Sequence, residues 1–195
     1  MKFTQIPTST FEELQLNAGV LLADFDPTDG TVANGDILGA TSGGVAFADT
    51  PSFRDDGEDI DNCPKGTKEL MRIDSREITL SGTYITMNTE RAKSLIAAAD
   101  IDAGDPTHII PRSDLAQTDF KDIWWVGDYS DKNGNSNGGF IAIHLMNALS
   151  TGGFSLQSGD KAKGQFAFSY SAHYGIDDVQ KVPYEMFIKA GENEA

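Results

Sequence analysis

Hydrophobic and polar residues alternate most regularly over residues 164–174, where Phe166, Phe168, Tyr170, Ala172 and Tyr174 interleave with Ala167, Ser169, Ser171 and His173. A period of two predicts a strand with one aromatic face and one small or polar face. The stretch closes a longer block, 122–174, that reads as four consecutive strands separated by turns at 131–139, at Gly152-Gly153 and at 159–164. Trp124 and Trp125 are adjacent in this block, so on a strand they face opposite sides and belong to different surroundings. An aromatic sheet face has to be covered by a second sheet, a helix or a neighbouring copy of the chain.

The rest of the chain supplies candidates for that cover. Residues 1–7 form an extended arm, with Pro7 opposing helix at Ile6. Ser9 and Glu12 make a possible capping box ahead of Phe11 and Leu14, predicting a short helix that Asn17 and Gly19 can end. A strand is expected over 19–23, then a loop over 24–34 rich in Asp, Pro and Gly. Over 44–53, Val45, Phe47 and Asp49 share one face of a strand with Pro51 near its end. Residues 72–87 predict a long strand in which Ile78 and Leu80 are out of phase with Ile85 and Met87, so a bulge is expected near Gly82. Ala92, Leu95, Ile96 and Ala99 follow helical spacing, predicting the one convincing helix over 89–100. A proline-punctuated connection over 105–121 leads into the β-rich half, 122–190, whose last strand is 183–190, before an acidic tail. The fold class expected is mainly β: a single domain, 1–195, of two packed antiparallel sheets, sandwich or barrel, flanked by one α-helix.

Composition narrows the function. The chain has 195 residues, enough for one domain with a sizeable core, and a net charge of −15 from 30 acids and 15 bases. So acidic a chain lacks the basic footprint that nucleic acid or an anionic membrane surface requires. Cys63 is the single cysteine, which rules out an internal disulfide and reads as an incidental thiol of a reducing compartment. No run approaches the roughly 18 apolar residues of a membrane span, and 1–10 lacks a signal-peptide core, so the chain is expected to be made and kept in the cytoplasm, or to leave it by a route other than ordinary secretion.

Candidate chemistry is sparse. Asp24, Asp26 and Asp29 sit in a loop without the spacing of a calcium-binding hand, and a solvated turn is the reading preferred to a metal site. Asp55, Asp56, Glu58, Asp59 and Asp61 crowd seven residues of a loop spanning 54–71; five acids so close should stay hydrated, as a solvated or interface loop rather than an acid–base pair. His108, His144 and His173 have no metal-pair spacing, although strand phase can bring the last two together. There is no nucleophile elbow, phosphate loop or dinucleotide fingerprint, so no catalytic residue, metal or cofactor is expected. A β-sandwich glycan-binding module with an exposed tryptophan, Trp124 or Trp125, stacking on a sugar ring remains the alternative, with Trp125 as the residue to test.

The segments FTQIPTSTFEELQLNAGVLL, DDGEDIDNCPKGTKEL, DIWWVGDYSDKNGNSNGGFIAIHL and ALSTGGFSLQSGDKAKGQFAFSYSAHYGID together resemble the major tail protein of long-tailed phages and prophages of Gram-positive bacteria. The resemblance spans nearly the whole chain and rests on overall pattern. It implies a β-sandwich or barrel subunit that forms homohexameric rings, stacked into a tail tube through which DNA passes without specific binding. It implies a virion protein assembled in the host cytoplasm beside a tape measure protein, a tail terminator and distal tail or baseplate proteins. The inner tube of a contractile, phage-like particle is the variant of this reading. The arm, 1–16, and the loop, 54–71, would reach neighbouring subunits and rings. Phe3, Ile6, Phe11, Asp55, Asp56, Glu58, Asp59, Asp61 and Trp125 are the contact residues expected on this basis.

Overall fold

Strand β8 (Gly139–Ser150) ties the fold together. In the computed structural model, which describes residues 5–10, 13–129 and 139–191, one edge of β8 pairs antiparallel with β7 (Lys121–Tyr129). From Phe140 to Leu145 its other edge pairs with β11 (Tyr184–Lys189), whereas its end, Leu149 and Ser150, pairs with β10 (Gln165–Ser171). Asn147 lies between these partners with φ of 49°, in the left-handed region. Its backbone N–H donates to Asp122 Oδ1 (2.9 Å) and its side-chain amide donates to the His173 carbonyl (3.2 Å). The strand thereby leaves one layer and enters the other.

The first layer runs β2 (Ile37–Gly39), β1 (Gln15–Leu22), β7, β8, with β11 on the far side of β8. The second runs from the end of β8 through β10 and β4 (Met71–Tyr84) to β3 (Thr41–Asp55), with the short β9 (Ser155–Gln157) also on β10. A separate two-stranded pair, β5 (Ala99–Ile101) and β6 (Ile109–Pro111), stands beside helix α1 (Thr89–Ile96). The protein is mainly β, with antiparallel layers and one α-helix among the described residues.

Alternation along β7 and β8 makes the first layer apolar on both faces. Leu21, Ile123, Ile143 and Leu145 point between the layers and meet Leu80, Tyr84, Phe168 and Tyr170 of the second, closed by Leu95 of α1. On the opposite face Leu22, Trp124, Val126, Phe140 and Ala142 pack under Phe25, which the loop after β1 carries back over the sheet. The adjacent tryptophans are divided as expected: Trp124 belongs to this outer cluster, while Trp125 packs against the inner one. The aromatic face of β10 is covered from Phe166 to Ala172, and Tyr174 lies past the strand, exposed.

Four expectations are corrected. The helix expected over 89–100 stops at Ile96, because Ala97 takes φ of 71° and Ala98 gives its carbonyl to the Arg112 N–H, so Ala99 is buried as a strand residue. The short helix expected after Ser9 lies partly outside the described residues, with Thr10 in a 3-10 turn, and β1 starts at Gln15, earlier than expected. Asn17 and Gly19, expected as helix stops, form a bulge inside β1 with φ of 63° and 69°. Glycine is needed there, since a Cβ on Gly19 would lie 2.6 Å from the Trp125 ring nitrogen. The bulge expected near Gly82 sits across from it in β3, where Gly43 and Gly44 loop out between Thr41↔Tyr84 and Val45↔Gly82. Gly82 itself makes room for the Phe168 ring, 2.7 Å from where a Cβ would stand.

Candidate functional site

β3 and β4 outgrow the body of the protein. β4 pairs with β10 only from Thr79 to Tyr84, whereas β3 and β4 stay paired down to Asp55↔Met71. From Thr50↔Glu77 outward they form a two-stranded ribbon of about 20 Å at the usual rise per residue, followed by a fifteen-residue tip, 56–70. The alternation of buried side chains along β4 ends where this ribbon begins: Ile78 and Leu80 are buried, while Arg72 to Ser75 are exposed.

A clamp holds the root. Asp49 Oδ2 on β3 pairs with Arg76 of β4 and accepts a hydrogen bond from the Tyr184 hydroxyl of β11 (3.0 Å). Burial, followed by the neighbouring Asp49 carboxylate, pushes the Tyr184 phenol up, so it stays a neutral donor. The Tyr184 ring also packs on Phe47 (centroids 5.3 Å apart). The clamp joins the ribbon to the first layer as well as to the second.

The tip is ordered from within by one carboxylate. Asp55 Oδ1 accepts from the Gly57 N–H (2.9 Å) and Oδ2 from the Gly66 N–H (2.8 Å), drawing the two ends of the loop together. Gly57 is buried, where a Cβ would stand 2.6 Å from Leu70 and 3.1 Å from Cys63. The Gly66 and Gly57 amides hold the Asp55 carboxyl below its ordinary value. A depressed carboxylate contributes while it is ionised, so its ordering effect is present above the ordinary pKa of about 3.9 and is lost as pH falls through the lower folded value. In hydrogen-exchange mass spectrometry, corrected for intrinsic rates, the peptide covering 55–70 should stay protected down to about pH 4 and open only below it. Asp55→Asn, which keeps one acceptor oxygen of two, should open the same peptide at neutral pH; unchanged protection in that variant would contradict the role given to Asp55.

Around this ordered tip the remaining acids are exposed. Asp56 pairs with Arg54 (2.7 Å) and Glu58 with Lys65 (3.5 Å), contacts of the exposed kind that contribute little to stability. Asp59 and Asp61 make no ion pair among the described residues. The ribbon also carries apolar side chains with nothing to bury them: Phe53 is 60% exposed, Ile60 52% and Ile73 50%. Phe53 and Ile73 are direct cross-strand partners. Beside them, Ile73 and Arg76 border a groove with Tyr174, Val179 and Val182. Exposed apolar side chains gathered on a ribbon too thin to hold a core mark an interaction surface. The outer edge of β3, fifteen residues long, has no strand partner among the described residues. Pro51 lies within it, where a missing N–H interrupts no ladder.

The sequence-predicted contact residues are therefore dispersed. Ile6 is exposed on the arm, and Phe3 and Phe11 lie outside the described residues. Asp55 is half-buried and structural, whereas Asp56, Glu58, Asp59 and Asp61 decorate the tip. Trp125 is half-buried on another part of the surface, and its ring N–H donates to the Ala18 carbonyl (3.1 Å). Sequence reasoning missed Phe53, Ile60 and Ile73, and it missed the clamp. Asp49 carried a signal, since a carboxylate in phase with Val45 and Phe47 on an apolar face calls for a partner.

Elsewhere the polar candidates are engaged locally. Asp26 and Asp29 accept from the N–H groups of Thr28 and Thr31, two residues on in each case, as turn-forming carboxylates do. His144 stacks flat on Trp124 (4.0 Å, 2°) and meets Asp122 (3.1 Å), while His173 contacts the Asn147 carbonyl (3.3 Å). The two histidines are thus brought to the same corner, on either side of Asn147. Compared with known proteins, the chain matches no family model and no curated sequence.

Proposed function

We propose that the chain is a structural subunit that assembles with copies of itself into hexameric rings, stacked as the tail tube of a long-tailed phage or prophage. The observation that carries this reading is the projecting β3–β4 ribbon, whose Phe53, Ile60 and Ile73 stay exposed in the single chain; a neighbouring copy would bury them. The unpaired edge of β3 supports it, because ring closure joins strand edges that a monomer leaves open. Head-to-tail contacts between identical copies close into rings, and stacking extends them. The charge of −15 fits a channel wall that repels phosphates and lets DNA pass without holding it. On this reading the subunit works in the virion, is assembled in the host cytoplasm, meets a tape measure protein, a terminator and distal tail proteins at the ends of the tube, and performs no catalysis.

Negative-stain electron microscopy with sedimentation velocity tests it. The purified full-length chain should give rings or hollow tubes of uniform width in a concentration-dependent manner. A chain that sediments as a monomer at every concentration, with no rings on the grid, ends the proposal.

A further inference from the structure

We propose that the ribbon tip of one copy docks on the turn between β9 and β10 of the next copy, an acidic and apolar end meeting a basic and apolar one. The inference rests on the self-assembly reading and adds to it the surface that receives the tip.

Topology puts the two surfaces at opposite ends of the second layer. β4 runs from Met71, beside the tip, to Tyr84, about 40 Å away at the usual rise per residue. Phe166 of β10 pairs with Tyr84, so the turn that leads from β9 into β10, residues 158–164, leaves the sheet at the end far from the ribbon. That end has uncovered apolar side chains of its own. Leu156 is the cross-strand partner of Phe166 and is 54% exposed, and Phe154, whose ring meets that of Phe166 (centroids 6.0 Å apart), is 44% exposed. Lys161 and Lys163 stand exposed on the adjoining turn, and neither makes an ion pair or a side-chain hydrogen bond among the described residues. Asp160 is the one acid of the turn, which is therefore net basic in a chain of charge −15.

The tip is the counterpart. Lys65 and Lys68 are paired within it, with Glu58 and Glu69 (3.5 Å each), and Asp56 is paired with Arg54. Asp59 and Asp61 are left as exposed carboxylates on either side of the exposed Ile60. Unpaired lysines beside an uncovered leucine and phenylalanine require an acidic, apolar partner, and this chain presents such a surface at its other end. Copies that each carry −15 repel one another, so an approach that sets unpaired bases against unpaired acids is the favoured one. Apolar side chains ringed by charge are also the usual make-up of a protein interface. Because the two surfaces differ, the contact is head-to-tail, and every docked copy keeps one surface of each kind for the next.

Sedimentation velocity on charge-swapped full-length chains tests the docking, with far-UV circular dichroism checking the fold. One variant carries Asp59→Lys and Asp61→Lys, the other Lys161→Asp and Lys163→Asp. Aspartate suits position 161, where φ is 57°. The parent should assemble, and each variant alone should need at least about tenfold more protein to do so, because like charges then face each other across the contact. An equimolar mixture of the two should regain the parent's assembly, since the basic tip of the first fits the acidic turn of the second, and the acidic tip of the second fits the basic turn of the first. The mixture has the parent's average charge, which separates a local contact from overall repulsion. Should either variant fail to fold, Asp61→Lys and Lys163→Asp alone, mixed in the same way, decide. Variants that assemble like the parent, or a mixture that gains nothing over its components, overturn the docking and leave the subunit reading standing. A parent that stays monomeric at every concentration ends both.

Discussion

Replacing residues 56–70 with Asn-Gly, so that Asp55 leads through a two-residue turn into Met71, is expected to leave a folded monomer without the self-assembly proposed above. Asp55 and Met71 are already cross-strand partners, and Asn-Gly is the preferred sequence for a two-residue hairpin turn, so the ribbon can close without strain. No residue of the tip enters either core cluster. The ion pairs removed with it are exposed and worth at most about 1 kcal/mol each. Thermal unfolding followed by far-UV circular dichroism should therefore change by only a few degrees, while sedimentation velocity should show loss of assembly. Wild-type tubes from this variant would remove the tip from the interface and shift attention to the Phe53–Ile73 pair further down the ribbon.

The largest expected effect on stability comes from Trp124→Ala, at roughly 3–5 kcal/mol. Trp124 is buried on the outer face of the first layer, where Phe25 meets it edge-on (5.6 Å), His144 stacks on it and Phe187 covers its flank. Truncation leaves a cavity beneath the loop that carries Phe25 and strips His144 of its aromatic neighbour. Against a total stability of about 5–15 kcal/mol, such a loss brings the chain close to unfolding. Urea denaturation read by circular dichroism measures it. Ile188→Ala, on an exposed side chain of β11, is the control and should change stability by less than about 0.5 kcal/mol. A loss below about 1 kcal/mol at Trp124 would mean that the outer cluster contributes little.

The strands were legible because side-chain alternation is local: Phe166, Phe168 and Tyr170 declare a face whatever lies opposite. The separation of Trp124 from Trp125 followed from the same rule. What the pattern could not reveal depends on partners distant in sequence. Asn17 and Gly19 supply positive φ, which a helix end and a β-bulge need equally, and only the approach of Trp125 decides between them. The reach of β3 and β4 beyond the body depends on where β10 stops, which neither strand encodes. In the candidate surface, the acidic loop was legible as a loop, but the division of its acids between the structural Asp55 and the exposed remainder rests on amides two and eleven residues away.

The far partner of β4 has a temporal cost. Leu80 pairs with Tyr170, ninety residues further along the chain. At ribosomal rates of about 5–20 residues per second, the inner edge of β4 waits roughly 5–20 s after its synthesis before β10 exists to cover it. During that interval the hairpin has two open edges, the condition in which strands of neighbouring nascent chains pair wrongly. Arg72, Asp74, Arg76 and Glu77 crowd charge onto β4 just before the stretch that awaits β10, and Pro51 interrupts the outer edge of β3. The features that make the ribbon a poor core thus also make its open edges poor templates for premature strand pairing.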